Sequence, residues 1–430
     1  MFAGGGPTAL VVKSSTANGT VTAPPSKSYT HRAMILGALT RSRFSLKSPL
    51  ISDDTRATLE ALQRMGAEVD IHSTYVQLRL EELKPPTEPI DARNSGTTIR
   101  LMTGLASLLP ETTTLTGDAS LVRRPMGPLM DALTQLGASC SYIGQPGRPP
   151  LRVAGPIVRE RAEVKGDVSS QFISSLLIAC TQKQQDTRIA VGGAMTSRPY
   201  VDITLEMLDR FGAVVTESES GFDIPGGQEL ARESYAVPGD FSSAAFLFAA
   251  AAITGGRVAV RHLDEESPQG DKAILEHLAS FGASVSRSPH MATVGSGNLK
   301  GIEVDVAPIP DLFPILAVVG AVSEGKTVLK GGKNLRAKES DRIASTTRFL
   351  QDMGARILPK EDGCEIIGVP RLKGAKIDTQ GDHRILMAAT IAALVSTTDT
   401  VIEDDESYRI SYPGFIRDLH QLGCRVEVRK

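Results

Sequence analysis

The sequence predicts an α/β protein of two domains, built from six repeats of about 70 residues with three repeats in each domain. Three observations carry this. A helix-ending phrase recurs six times. A polar cluster opens a strongly apolar helix once in every repeat. The residues missing from the last repeat are supplied by the N-terminus.

The phrase is leucine, two residues, an apolar residue, glycine, then alanine or cysteine. Its glycines are Gly66, Gly137, Gly212, Gly282, Gly354 and Gly423, spaced 71, 75, 70, 72 and 69 residues apart. Leu62, Leu133, Leu208, Leu278, Leu350 and Leu419 stand four residues before them. Met65, Leu136, Phe211, Phe281, Met353 and Leu422 stand directly before them. Apolar residues three apart seat one helix face on a core. The glycine then takes the left-handed position that ends the helix. A strand follows, as in Ala67–Ile71 and Cys424–Val428.

Each repeat also has an earlier helix, opened by Ser26-Lys27-Ser28, Asn94-Ser95-Gly96-Thr97, Ser169-Ser170-Gln171, Asp240-Phe241-Ser242-Ser243, Pro310-Asp311 or Asp382-His383-Arg384. These helices are apolar all round and are expected in the domain centres. The repeat then reads helix, strand, helix, strand, strand.

From each glycine to the next opener is 28 to 32 residues, but only 7 follow Gly423. The first 26 residues make up the deficit, so strands such as 9–14 complete the sixth repeat and both termini share one domain. That domain is expected over 1–20 plus 238–430, and the other over 21–237. The crossings fall near Asn18-Gly19-Thr20 and Val237-Pro238-Gly239, where glycine suits a hinge. The openers of both halves would face a common cleft.

Composition narrows the function. A length of 430 residues exceeds one ordinary core. A net charge of −2 and 4% aromatic residues exclude a generally basic nucleic-acid binder with stacking platforms. Cys140, Cys180, Cys364 and Cys424 are far apart with no Cys-x-x-Cys, so neither a zinc site nor a redox dithiol is indicated. No signal peptide and no membrane-spanning run is read, and a reducing cytoplasm is the expected compartment.

The openers concentrate cations and hydroxyls at helix N-termini, where free backbone N–H groups and the dipole favour anions. Pro24-Pro25-Ser26-Lys27-Ser28-Tyr29-Thr30-His31-Arg32 is the first such mouth, with Ser26 or Ser28 able to cap it. Gly96 lets a ligand approach the backbone closely. Arg124 precedes Pro125, read as the start of a helix. Ser169-Ser170-Gln171-Phe172 and Ser197-Arg198-Pro199-Tyr200 add hydroxyls. Asn334-Leu335-Arg336-Ala337-Lys338-Glu339-Ser340-Asp341-Arg342 mixes both signs, and Gly381-Asp382-His383-Arg384 follows one repeat later. Each stretch alone also reads as an ordinary cap or turn; their equivalent places in a repeat point to a polyanion site.

In this order and spacing, Ser-Lys-Ser-x-x-x-Arg, Asn-x-Gly-Thr, Arg-Pro-Met-Gly, Ser-Ser-Gln-Phe, Ser-Arg-Pro-Tyr, Lys-Glu-Ser-Asp-Arg and Asp-His-Arg resemble the 5-enolpyruvylshikimate-3-phosphate synthase family over nearly the whole chain. The resemblance implies two inside-out α/β barrels. It implies transfer of enolpyruvyl from phosphoenolpyruvate to the 5-hydroxyl of shikimate 3-phosphate, in chorismate and aromatic amino-acid biosynthesis, with no metal or organic cofactor. It further implies that Lys27, Ser28, Arg32, Ser169, Ser170, Gln171, Ser197, Tyr200, Asp311, Asn334 and Lys338 serve shikimate 3-phosphate. Lys27, Gly96, Arg124, Gln171, Arg342 and Arg384 would hold phosphoenolpyruvate. Asp311 would act as base and Glu339 as acid, with Lys27 sharing the proton traffic. His383 reads as structural or as steadying a phosphate. The expected partners are these two small molecules, with no nucleic acid and no membrane, for a monomer.

Two other readings rank behind. The enolpyruvyl transferase acting on UDP-N-acetylglucosamine carries a cysteine in the loop before the Arg-Pro of its second repeat; here Thr116–Leu121 has none. A non-enzymatic repeat protein has no use for carboxylates and cations gathered at helix mouths. One departure from the family stands out: Ile410 occupies the place of a lysine that reaches phosphoenolpyruvate. Either Arg409 substitutes for it, which is the expectation adopted, or the site runs with one cation fewer.

Overall fold

The computed structural model describes residues 9–429. Its contacts divide into two units, one of Met1–Pro24 with Pro238–Lys430 and one of Pro25–Val237, here the terminal and the mid-chain unit. Each has its own apolar core.

Among the described residues the mid-chain unit holds helices α1 (Lys27–Leu39), α2 (Asp53–Arg64), α3 (Gly96–Ala106), α4 (Gly127–Gln135), α5 (Ser170–Cys180) and α6 (Pro199–Arg210). The terminal unit holds α7 (Phe241–Thr254), α8 (Ile274–Phe281), α9 (Phe313–Ala321), α10 (Arg342–Asp352), α11 (His383–Ala393) and α12 (Phe415–Gln421). The odd-numbered helices are the apolar ones. Every residue of α9 and α11 is buried, as is α7 from Phe241 to Ala252. The even-numbered helices bury one face, as α2 and α6 do. Several strands alternate buried and exposed residues, as over Arg161–Lys165. Each unit is therefore built with helices inside and sheets outside, because only an all-round apolar helix tolerates the centre.

The six repeat glycines all have positive φ, from 81° to 109°. The residue after the glycine donates its N–H to the carbonyl of the phrase leucine in five repeats, at 2.8–3.0 Å: Ala67 to Leu62, Ala138 to Leu133, Ala213 to Leu208, Ala355 to Leu350 and Cys424 to Leu419. This is a Schellman closure, and it explains the phrase. Leucine fills the core, glycine turns left-handed, and the next residue has room only for a small side chain.

Each of the six four-stranded sheets among the described residues has one pattern: a parallel edge strand, then two antiparallel steps. Ile90–Asp91 runs parallel to Thr113–Thr116, with Ile90 opposite Leu115. Thr113–Thr116 pairs antiparallel with Leu151–Ala154, which pairs antiparallel with Ser139–Tyr142. The repeat thus has a sixth element that the sequence pattern misses. Edge strands of two residues, such as Ile90–Asp91 and Lys376–Ile377, are too short for alternation to register.

Strands distant in sequence also close each unit. Ser234–Ala236 returns to lie parallel to Phe44–Lys47, with Tyr235 opposite Leu46, so the end of the mid-chain unit completes its first sheet. Ala9–Lys13 lies between Thr400–Ile402 and Arg425–Arg429, completing the sixth repeat. Asn18–Thr22 pairs parallel with Arg257–Arg261, with Thr20 opposite Ala259. This corrects one boundary. Residues 18–20 are ladder residues of the terminal unit, not a crossing, and the division falls at Pro24/Pro25 instead of 20/21. The second lies at Val237/Pro238.

Candidate active site

In the mid-chain unit, hydrogen bonds tie helix mouths together. Lys27, the first residue of α1, places Nζ 2.8 Å from Asp54 Oδ2 in the first turn of α2. Thr98 of α3 donates to the Asp54 carbonyl at 3.2 Å, and its hydroxyl also meets Thr58 at 2.7 Å. Gln171 of α5 donates from Nε2 to Thr97 at 2.7 Å and accepts from Arg100 at 2.6 Å. Ser169 caps α5 by accepting from the Gln171 N–H at 3.3 Å, and Ser170 is buried behind it. Ser26 has the N-cap backbone of α1 but makes no side-chain cap bond.

Gly96 begins α3 beside two guanidinium groups. A Cβ added there would lie 3.0 Å from Arg124 Nη1 and 3.3 Å from Arg100 Nη1. Arg124 donates to Asn94 Oδ1 at 2.5 Å, and Asn94 in turn donates to Asp118 at 2.7 Å. Pro125 does not start a helix: α4 begins at Gly127 with its proline second, and Arg124 ends the 3-10 turn Leu121–Arg123 in extended backbone.

Arg32 is 1% exposed. It donates from Nε to Thr204 Oγ1 at 2.7 Å, from Nη1 to the Ser28 carbonyl at 3.0 Å, and from Nη2 to Ser174 Oγ at 3.2 Å and the Tyr200 carbonyl at 2.9 Å. Burial pushes its pKa down to about 10, with Tyr200 and Tyr29 opposing. Arg32 thereby positions Ser28 and Tyr200 while bringing positive charge under both. Ser197, three residues before Tyr200, is buried with a φ of +53°, a left-handed conformation that costs a serine about 1 kcal/mol.

In the terminal unit Arg342 is the hub. Its side chain is 2% exposed and meets three carboxylates: Nη1 to Asp311 Oδ1 at 2.8 Å, Nη2 to Glu339 Oε2 at 2.7 Å, and Nε to Asp382 Oδ2 at 2.9 Å. Burial works against its charge, but Asp382, Glu339 and Asp311 outweigh that and hold it above the ordinary arginine value. Asp382 caps α11 through the Arg384 N–H at 2.9 Å and accepts from Ser340 at 2.9 Å. Arg384 reaches Asp311 Oδ2 at 3.0 Å. Burial would raise the Asp311 carboxyl, but Arg384, Lys338 and Arg342 hold it well below the usual carboxylate range. Asn334 lies in the 3-10 turn Lys333–Ala337, which Lys338 ends. His383 is buried with Nδ1 4.0 Å from Asp382 Oδ1.

Asp54 and Asp271 belong to no motif in the sequence, and Asp382 stands in the Asp-His-Arg opener without a role of its own. All three are buried acids at helix starts, a position where an ordinary cap looks the same in sequence. Arg409 does not join the Arg342 group. Its side chain is 55% exposed, pairs with Glu406 at 3.6 Å and stacks 5.9 Å from the Tyr408 ring.

Comparison with known proteins agrees with this chemistry. The sequence profile of the family described as EPSP synthase (3-phosphoshikimate 1-carboxyvinyltransferase) matches residues 11–419. The 3-phosphoshikimate 1-carboxyvinyltransferase of Methanocorpusculum labreanum is 45% identical over 418 residues, covering 96% of this chain and 98% of the relative. That of Methanocaldococcus jannaschii is 40% identical over 425 residues, covering 98% and 99%. The structure of EPSP synthase from Acinetobacter baumannii superimposes with a TM-score of 0.83 at 29% identity, covering 98% of this chain and all of that one. The chain belongs to the EPSP synthase (3-phosphoshikimate 1-carboxyvinyltransferase) family.

Proposed function

We propose that Asp311 and Glu339 handle the protons of the reaction that the chain catalyses, the transfer of enolpyruvyl from phosphoenolpyruvate to the 5-hydroxyl of shikimate 3-phosphate. The observation that carries this is the pairing of both carboxylates with one buried guanidinium, that of Arg342. The 5-oxygen adds to C2 of the enol phosphate while C3 gains a proton; the tetrahedral adduct then loses the C2 phosphate and a C3 proton, leaving the enol ether. Asp311 takes the hydroxyl proton and Glu339 supplies C3, with Lys27 sharing the traffic. Asp311 is a poor base while Arg342 and Arg384 neutralise it. Substrate phosphate and carboxylate compete for these arginines, so the base strengthens as the donor arrives.

Among the binding residues, Lys27, Ser28, Ser169, Ser170, Gln171, Ser197, Tyr200, Asp311, Asn334 and Lys338 serve shikimate 3-phosphate, with Arg32 acting from beneath. Lys27, Gly96, Arg124, Gln171, Arg342 and Arg384 serve phosphoenolpyruvate. Charge-assisted bonds from arginine suit its carboxylate and phosphate. The family lysine has no replacement in this reading, because Arg409 is engaged with Glu406 and Tyr408. Four free thiols, three of them buried, fit a reducing cytoplasm. No helix among the described residues is long and apolar enough to cross a membrane.

A coupled phosphate-release assay with both substrates tests the reading. Release is expected only when both are present, and is expected to collapse in Asp311→Asn. Release with UDP-N-acetylglucosamine in place of shikimate 3-phosphate would overturn it.

A further inference from the structure

Asp271 has none of the roles above. It lies in the 3-10 turn Gly270–Ala273 before α8 and is 3% exposed. Ser242, the second residue of α7, donates its hydroxyl to Asp271 Oδ2, while Asp271 Oδ1 has no hydrogen-bond partner among the described residues. The same loop grips the mouth of α7: Gln269 accepts from the Phe241 N–H at 3.0 Å and donates to the Gly239 carbonyl at 2.9 Å.

Repeat symmetry gives the position meaning. The second helical residue is Ser28 in α1, Gln171 in α5 and Arg384 in α11, each assigned above to a substrate. Ser242 is their equivalent in α7, and it meets Asp271. Its carbonyl accepts from Arg384 Nη1 at 3.5 Å, and Arg384 Nη2 lies 3.0 Å from Asp311. Facing Asp271 are Asp240, which caps α7, Asp311 before α9, and Arg384 of α11. Lys272 of its own turn points away, to the Glu265 carbonyl at 2.9 Å.

We propose that Asp271 is a further positioning residue for the reaction, its carboxyl setting, through Ser242 and by its own charge, how much of the Arg384 guanidinium is left for phosphoenolpyruvate. A buried carboxylate with an empty oxygen is costly, and a neutral carboxyl much less so. Burial, then Asp311, raises this group, with Arg384 and the Ser242 bond opposing, to about 7. Neutral, Asp271 adds no charge beside the Arg384–Asp311 pair. Ionised, it adds a second negative charge beside Arg384 and repels the incoming anion. Phosphoenolpyruvate binding therefore weakens as pH rises through neutrality.

The inference rests on the assignment of Arg384 to phosphoenolpyruvate, and the experiment separates the two. KM for phosphoenolpyruvate is measured from pH 6 to 8.5 in the wild type and in Asp271→Asn, at saturating shikimate 3-phosphate. The donor's own ionisation cancels in the ratio. Wild type over variant is expected near unity at pH 6 and about three- to tenfold at pH 8.5. A ratio independent of pH overturns the inference. Ser242→Ala removes a bond that favours the ionised form, so its rise in KM is expected at higher pH than in the wild type. Should Asp271→Asn not fold, that displacement decides, and an unmoved profile overturns the inference. Arg384→Ala is the control. If it leaves KM for phosphoenolpyruvate unchanged, the Arg384 assignment is wrong; if it weakens the donor while the Asp271→Asn profile stays parallel to wild type, only the present inference fails.

Discussion

A methyl group on Gly96 would stand 3.0 Å from Nη1 of Arg124, so the absence of a side chain at the first position of α3 gives the guanidinium its place. Helical backbone there accepts alanine readily, and the atoms in the way belong to flexible side chains. Gly96→Ala should therefore fold with a melting temperature within a few degrees of wild type. It should displace Arg124 and raise KM for phosphoenolpyruvate. Arg124→Ala should raise that KM by roughly ten- to a hundredfold, the worth of a charge-assisted hydrogen bond of about 1.5–3 kcal/mol, and change KM for shikimate 3-phosphate little. Steady-state kinetics with each substrate varied in turn check both variants. Equal losses for the two substrates would make Arg124 a structural residue.

Asp311 and Glu339 share the Arg342 guanidinium but differ in assigned role. Asp311→Asn and Glu339→Gln should each lower kcat by at least about a hundredfold, within the usual contribution of a general acid or base. Each leaves Arg342 two carboxylates, among them the fully buried Asp382, so the fold should persist. Far-ultraviolet circular dichroism and single-turnover kinetics separate lost chemistry from lost structure. Near-wild-type turnover in either variant would remove that residue from the mechanism.

His31 makes a pH-dependent contribution to stability. It is fully buried in α1, with Nδ1 2.7 Å from the Thr58 hydroxyl. Burial, then Lys27 and Arg32, holds its pKa well below the ordinary 6.5. A depressed folded-state value means that the unfolded chain takes up the proton first. The contribution is thus complete above about pH 6.5 and is lost as pH falls from there toward the folded value. Unfolding free energies from urea titrations should fall by up to about 1.4 kcal/mol per pH unit more steeply in wild type than in His31→Gln between pH 6 and 5. Parallel slopes would show that His31 titrates alike in both states.

Most of the architecture was legible because it is written six times. Gly66 and its five equivalents carry a left-handed backbone and Leu62 and its equivalents fill the core, so one phrase reports both conformation and burial. The short parallel edge strands were not legible. Ile90–Asp91 has no room for a period, and Asn18–Thr22 looks like a linker because only its partner Arg257–Arg261, far along the chain, makes it a strand. In the site, the cations stood out by residue type at helix mouths. Their counter-charges did not. Asp54, Asp271 and Asp382 look like helix caps in sequence, and their effect on Lys27 and on the Arg342–Arg384 group depends on packing between repeats.

Ile410 occupies the place of the family lysine and ends the 3-10 turn Ser407–Ile410. Sequence adjacency suggests Arg409 as a substitute. Its side chain instead lies over Tyr408 and near Glu406, largely in solvent. An exposed pair of this kind is worth at most about 1 kcal/mol, so Arg409→Ala should leave stability nearly unchanged. KM for phosphoenolpyruvate should also stay within about twofold of wild type, since no charged bond worth 1.5 kcal/mol or more is lost. Ile410→Lys is the informative counterpart. Ile410 is half-buried, and a lysine there has a four-carbon stem with which to lie along the apolar surroundings and carry its ammonium outward. If the donor site runs one cation short, Ile410→Lys should lower KM for phosphoenolpyruvate by about tenfold, with a salt dependence steeper than wild type. A tenfold rise in KM in Arg409→Ala, with none gained in Ile410→Lys, would mean that Arg409 swings from Glu406 to the donor and supplies the cation after all.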